Sequence, residues 1–197
     1  MAKKPYHHGD LKKALIKGAL EILDEESKLS LRTVSTRVGV SHNAAYRHFD
    51  DLEDLLGEVA AATFREIAVL LENSHAEDAP LEERLRAGVR TYLDYGLSHP
   101  GRYALLFSQQ FPIFEHDSAR EAAEFAFGTV VRQADDAGAP MPHHTAFLVL
   151  SMLHGTIELL KRDAIPSGLD SSRDTLVQQT IDEATEVVLR FTRGADS

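Results

Sequence analysis

The sequence predicts an all-α protein, with an N-terminal three-helix unit over residues 1–56 and a larger helical unit over residues 57–197. Three observations lead there. Apolar residues recur at steps of three and four through nearly every segment, the signature of one buried helical stripe. No segment keeps the strict alternation of a strand for long. The interruptions fall at capping residues, glycines and prolines, which stop helices.

In chain order, Leu11, Ala14, Leu15, Ala19, Ile22 and Leu23 form the stripe of a first helix, with Asp10 as its expected N-cap and an end near Ser27. Ser30 is placed to cap a second helix, "LRTVSTRV", with Val34 and Val38 inward, and Gly39 permits the left-handed backbone of a sharp turn. Ser41 is expected to cap a third helix through Phe49. Asp51, with Asp54 three positions on, caps a fourth through Leu55, Leu56, Val59, Ala60 and Phe64. "ENSHAEDAP" breaks the pattern. Beyond it "LEERLRAGVRTYLDYGLSH" is amphipathic, Pro100 interrupts, and "GRYALLFSQQF" resumes before Pro112. "SAREAAEFAFGTVVRQADDAG" makes a further helix, ended by Gly138 and Pro140. "HHTAFLVLSMLHGTIELLKR" is apolar around most of its circumference, which predicts burial on more than one side. After the linker "DAIPSGLDSS", Val177, Ile181, Ala184, Val188 and Phe191 form the stripe of a last helix.

Composition narrows the function. No run of about 18 apolar residues is present, and "MAKKPYHHGDLKK" lacks the apolar core of a secretory signal, so the expected location is the cytoplasm, away from membranes. The chain has no cysteine, which excludes disulfides, thiolate catalysis and cysteine-ligated zinc. The histidine pairs His7–His8 and His143–His144 are adjacent, so their side chains diverge by about 100° on a helix and do not match the i, i+4 zinc arrangement. Neither a phosphate-cradling glycine loop nor a nucleophile elbow occurs. The expectation is a protein that is not an enzyme and uses no metal or cofactor.

The net charge of -10 averages two unlike parts. Residues 1–50 carry nine Lys/Arg against six acidic residues and four histidines besides, a net +3, while the rest carries 12 against 25, a net -13. A basic head on an acidic body can approach an anionic polymer while the body stays in solution. Within that head, two short helices around a glycine turn satisfy the helix-turn-helix description, whose second helix enters the DNA major groove. The stretch "VGVSHNAAYRHF" sorts by periodicity: Val40, Ala45 and Phe49 seat the helix, and His42, Asn43, Ala44 and Arg47 lie largely opposite. Asn43 can give a donor and an acceptor to adenine, Arg47 can grip guanine or phosphate, and Ala44 can touch a thymine methyl. Ser41, Tyr46 and His48 suit phosphate oxygens, and Arg32 on the preceding helix is a further DNA-binding candidate.

The segments "YHHGDLKKALIKGALEILDE", "LSLRTVSTRVGVS" and "AYRHFDDLEDLL", across residues 6–56, resemble the TetR family of transcriptional regulators in order and spacing. Further on, "LRAGVRTYLDYGLSHPGRYALLFS" and "MLHGTIELL" look like the ligand-binding half of the branch named for a tryptophan-histidine-glycine signature, with Leu153, His154, Gly155 in its place. The resemblance implies a dimeric, all-helical DNA-binding repressor released by a small molecule. By position it puts Ser41, His42, Asn43 and Ala44 at the groove, with Tyr46 and His48 on the backbone. Two departures stand out. The family usually has Gly-Thr-Leu where this chain has Asn43, Ala44, Ala45, and a lysine where this chain has Leu52 beside Asp50 and Asp51, which predicts weaker phosphate binding.

Specific affinity then requires a homodimer, with two heads about 34–36 Å apart on a two-fold-related, palindromic operator. The last two helices are the expected dimer surface, through Gly155, Val177, Ile181, Ala184 and Val188. A small-molecule pocket is expected among the aromatics of the middle segment, with Tyr92, Tyr103, Phe107, Phe111 and Phe125 as lining and His154 as a polar anchor. The rival reading is a helical adaptor that binds protein and keeps its N-terminal helices only as packing.

Overall fold

The computed structural model describes residues 8–108, 112, 115–165, 169 and 172–193. Among these, nine helices and no strand are found: α1 (His8–Asp24), α2 (Leu31–Val38), α3 (His42–Ala45), α4 (Leu52–Glu72), α5 (Leu81–Ser98), α6 (Pro100–Leu106), α7 (Asp117–Asp136), α8 (Pro142–Lys161) and α9 (Arg173–Arg193). The all-α expectation holds. Two compact units emerge, one of Met1–Phe64 with His99–Ala123, the other of Arg65–Ser98 with Glu124–Ser197. The divisions thus fall inside α4 and α7, and not after residue 56, because the fourth helix runs unbroken to Glu72 and α6 packs on α1.

In the first unit, Leu15, Ala19, Ile22, Leu31, Val34, Ala45, Phe49, Leu55 and Val59 make the core, each at most 5% exposed. Ser30 caps α2 as its sequence predicts: its Oγ accepts from the Thr33 N–H at 3.1 Å, while its own N–H donates to the Thr33 hydroxyl at 2.9 Å. Gly39 closes α2 at φ 75°, and the Val40 N–H reaches back to the Ser35 carbonyl at 3.0 Å. Three local expectations differ. Helix α1 already starts at His8, so Asp10 lies within it and does not cap it. Ser41 occupies the N-cap position of α3 in extended backbone, but its hydroxyl makes no capping bond. Helix α3 itself ends at Ala45, with tight turns carrying the chain to Phe49: the His48 and Phe49 N–H groups both donate to the Ala45 carbonyl, at 2.9 and 3.0 Å.

The start of α4 is closed by the acidic pair the sequence marks. Asp51 Oδ1 accepts from the Asp54 N–H at 2.9 Å and Asp54 Oδ2 from the Asp50 N–H at 3.1 Å. Helix α6 buttresses α1 at its C-terminal end, where the Asp24 carboxylate takes His99 Nδ1 at 3.0 Å and the Arg102 guanidinium. At Gly101 the approach is so close that a Cβ would stand 2.2 Å from the Leu23 carbonyl oxygen.

The second unit is built on α5, α8 and α9, which pack pairwise. Leu85, Val89 and Leu93 of α5, Val149, Leu153 and Ile157 of α8, and Ile181, Ala184 and Val188 of α9 fill its centre, all at most 8% exposed. Its surface is tied by ion pairs, among them Arg86 with Glu82 and Asp182, and Arg132 with Glu72 at 2.9 Å. The hydrogen bond from Arg86 holds the Asp182 carboxyl below its ordinary range, and the same bond raises the arginine.

Candidate functional site: a DNA-facing head and an apolar cavity

The seat of α3 is apolar. Ala45 at 0% and Phe49 at 1% exposure anchor it, and Lys12 of α1 stands 5.7 Å above the Phe49 ring while bonding Glu58 at 3.1 Å. Opposite that seat, Ser41, His42, Asn43, Tyr46 and Arg47 are all exposed, with Ala44 and His48 half-buried at the edge. Tyr46 is 51% exposed, and its ring meets His42 edge-on at 5.4 Å, so these two aromatics hold one another on the outer face. Arg32 of α2 is exposed as well. The eight residues singled out for DNA therefore lie in one unit, on and beside one short helix, none of them in its core.

Fewer cations of the head lack an ion pair than the sequence count of Lys and Arg alone conveys. Arg37 is held bidentate by Glu25 at 2.8 and 2.5 Å, a bond that lowers the Glu25 carboxyl below its usual value and raises the arginine. Lys12 is paired to Glu58 and Lys17 to Glu21. Among the described residues, Lys13, Lys28, Arg32 and Arg47 carry no ion pair. Of the acidic residues where a lysine was expected, Asp51 caps α4 together with Asp54, so that carboxylate serves the helix end.

The expected ligand residues scatter. Tyr92 lines a cavity inside the second unit, whose walls come from α4 (Leu71), α5 (Leu85, Gly88, Val89, Tyr92), α7 (Val130, Gln133, Ala134), α8 (Thr145, Ala146, Val149, Leu150, Leu153) and α9 (Val188). Tyr103 is buried in the first unit against Phe107, their rings 4.9 Å apart, and neither lines this cavity. Phe125 is 49% exposed, with the Arg132 guanidinium 6.0 Å from its ring. Phe111 lies outside the described residues. His154 is half-buried on α8 but absent from the lining, and desolvation lowers its imidazole below the ordinary value, outweighing the pull of Glu158. Large aromatics at helical spacing mostly fill space; apart from Tyr92 this cavity is bounded by aliphatic and small side chains, and its polar members Thr145 and Gln133 carry no distinctive spacing.

The expected dimer residues divide likewise. Ile181, Ala184 and Val188 are at most 5% exposed within the chain itself, so its own α5 and α8 already cover that stripe, and Val177 and Gly155 remain half-buried. The outward apolar surface is instead on α8: Phe147 is 61%, Leu148 37% and Leu159 49% exposed. At 3.6 residues per turn Leu148, Ser151, Gly155 and Leu159 share one stripe with Phe147 on its flank, and a Cβ at Gly155 would meet nothing within 4 Å. The near-total apolarity of α8 thus resolves into one face packed internally and one uncovered in the single chain.

Among the described residues no cluster of three or more His, Asp or Glu is placed to hold a metal, and no helix is long and apolar enough to cross a membrane. A helix-turn-helix head joined in sequence to a helical unit with an apolar cavity defines a class, the one-component transcriptional regulators. The comparisons agree: the family model described as the tetracyclin repressor-like C-terminal domain matches residues 85–184, half of the chain, and the chain belongs to the TetR family of transcriptional regulators. No curated protein matches it. Among solved structures it is similar to a protein of unknown function from Rhodococcus sp. RHA1, with a TM-score of 0.76 and 25% identity over 95% of this chain and 98% of that one. It is also similar to the fatty acid degradation regulator FadR from Bacillus halodurans (TM-score 0.66, 12% identity, 96% and 97% covered). A third is the TetR-like regulator LfrR from Mycobacterium smegmatis, solved in complex with proflavine (0.64, 17%, 89% and 95%). At such identities the last two show the shared fold.

Proposed function

We propose that this chain acts in the cytoplasm as a homodimeric repressor that binds a palindromic operator and is released by a small-molecule effector. The observation that carries the reading is the outer face of α3: Ser41, His42, Asn43, Tyr46 and Arg47 exposed together on a helix whose other side is pinned by Ala45 and Phe49. Asn43 and Arg47 supply base-edge and phosphate contacts, and Arg32, Tyr46 and His48 flank them. Because few cations of the head lack an ion pair, one head binds DNA weakly and has little non-specific affinity, and two heads on successive major grooves are needed for affinity. The uncovered α8 stripe supports the pairing of two copies, in place of the α9 stripe that the chain buries by itself. The cavity of the second unit supports an effector, which releases DNA only by binding better to the head spacing that does not fit the operator.

The test is electrophoretic mobility of the DNA upstream of its own gene. Wild type should retard it, and Arg47→Ala and Tyr46→Phe should each lose operator affinity while keeping the wild-type circular dichroism and melting temperature. Full affinity in both variants would remove the proposed interface.

A further inference from the structure

Five polar residues are buried among the described residues: Ser35, Thr63, Thr129, Thr145 and Thr185. Four of them donate their hydroxyl to the carbonyl one helical turn earlier, Ser35 to Leu31 at 2.7 Å, Thr63 to Val59 at 2.9 Å, Thr129 to Phe125 at 3.3 Å and Thr185 to Ile181 at 2.7 Å. Thr145 is the exception. It is 1% exposed and its N–H donates to the Met141 carbonyl at 2.9 Å, yet among the described residues its hydroxyl has no partner. It lines the cavity of the second unit. Its oxygen is not sealed in the packed core but opens onto that space, where a water or a ligand can be its partner.

The remainder of the wall sets the chemistry. Among the described residues it contains no Asp, Glu, Lys, Arg or His, and its other polar members are Tyr92 and Gln133, whose amide donates a long 3.5 Å bond to the Leu71 carbonyl. A carboxylate or an ammonium entering here would lose its hydration with no opposite charge to receive it, which is prohibitive compared with burying a neutral group. The space measures about 40 Å3, room for little more than water-sized guests. A guest of several carbons exceeds this space and has to extend through its open side, which a slim molecule does more readily than a broad ring system.

We infer that the cavity takes a slim, uncharged, mainly apolar molecule bearing one neutral hydrogen-bonding group, a hydroxyl or carbonyl, which pairs with Thr145. This names the ligand class of the effector site proposed above and rests on that reading for its regulatory meaning, though not for binding itself. Thr145 is the residue that distinguishes such a molecule from a hydrocarbon of the same shape, and the absence of charge from the wall is what rejects the matching acid or amine.

The experiment uses the full chain without DNA, titrated at pH 7 with 1-hexanol, hexanoate and hexylamine and followed by calorimetry and thermal melting. Hexanol should bind and raise the melting temperature, with both ions at least about tenfold weaker. Thr145→Val should leave the ligand-free melting temperature unchanged or higher, since no bond is lost, while weakening hexanol about 2- to 10-fold. Ala134→Val, which adds carbon to the cavity wall, should weaken hexanol by more than Thr145→Val does. Hexanoate or hexylamine binding as tightly as hexanol, no hexanol binding at all, or unaltered hexanol affinity in Thr145→Val, would each overturn the inference. Operator release is measured separately: if hexanol binds as described but never frees the DNA, the ligand class stands and the effector-released reading is what fails.

Discussion

Gly155 separates a lone chain from a dimer with one methyl group. It lies in the interior of α8, where glycine costs about 0.8–1.0 kcal/mol relative to alanine because the unfolded backbone loses more freedom. A Cβ placed there meets nothing within 4 Å of its own chain, so Gly155→Ala should stabilise the single fold by about 1 kcal/mol. At a subunit interface the same methyl presses on the partner, and overpacking typically costs 1–3 kcal/mol, a roughly 5- to 150-fold loss in dimer affinity. The two effects have opposite sign and are read by different assays. Sedimentation equilibrium reports the dimer constant, and urea denaturation at low protein concentration reports the chain. A useful contrast is Gly96, where a Cβ would stand 2.5 Å from Ile157 Cδ1, so that Gly96→Ala should destabilise the chain itself. If Gly155→Ala gains about 1 kcal/mol and leaves the dimer constant unaltered, the α8 stripe is not where two copies meet.

Three further outcomes are expected. Arg47→Ala should lower the magnitude of the slope of log K against log salt by about 2, one phosphate on each of two heads at roughly 0.9 apiece, whereas Asn43→Ala should leave that slope intact and blur the preference for operator over random DNA; identical slopes for wild type and Arg47→Ala would remove arginine from the phosphate backbone. Gly101→Ala should destabilise by about 2–3 kcal/mol, roughly 5–10 °C in Tm, because the new Cβ falls 2.2 Å from the Leu23 carbonyl oxygen and a backbone atom cannot swing aside; an unchanged melting curve would mean that α6 does not bear on α1 so closely. Burial holds the His154 imidazole below its ordinary value, so the unfolded chain takes up that proton first. Its contribution is accordingly complete above about pH 6.5 and declines as the pH drops below that value, and His154→Gln should narrow the difference between urea midpoints at pH 8 and pH 5. Equal differences in variant and wild type would exclude His154 as a source of acid sensitivity.

What the sequence determined by itself is local. Helix formation depends on neighbours three and four positions apart, so the stripes, the Ser30 cap and the Gly39 turn were legible, and with them the exposed face of α3 whose seat is Ala45 and Phe49. Even there the structure differs in part: α3 ends at Ala45 and the Ser41 hydroxyl makes no capping bond, while Phe49 is buried beyond the helix end. The cavity was not legible, because its wall gathers residues from five helices spread between Leu71 and Val188, and no local pattern records that Thr145 lacks a bond that Thr63 and Thr185 make. Nor could an apolar stripe announce which neighbour covers it. Val188 and Leu159 read alike in the sequence, but packing against α5 and α8 buries the first and leaves the second in water, because burial is a property of the assembled surface and hydrophobicity only of the side chain.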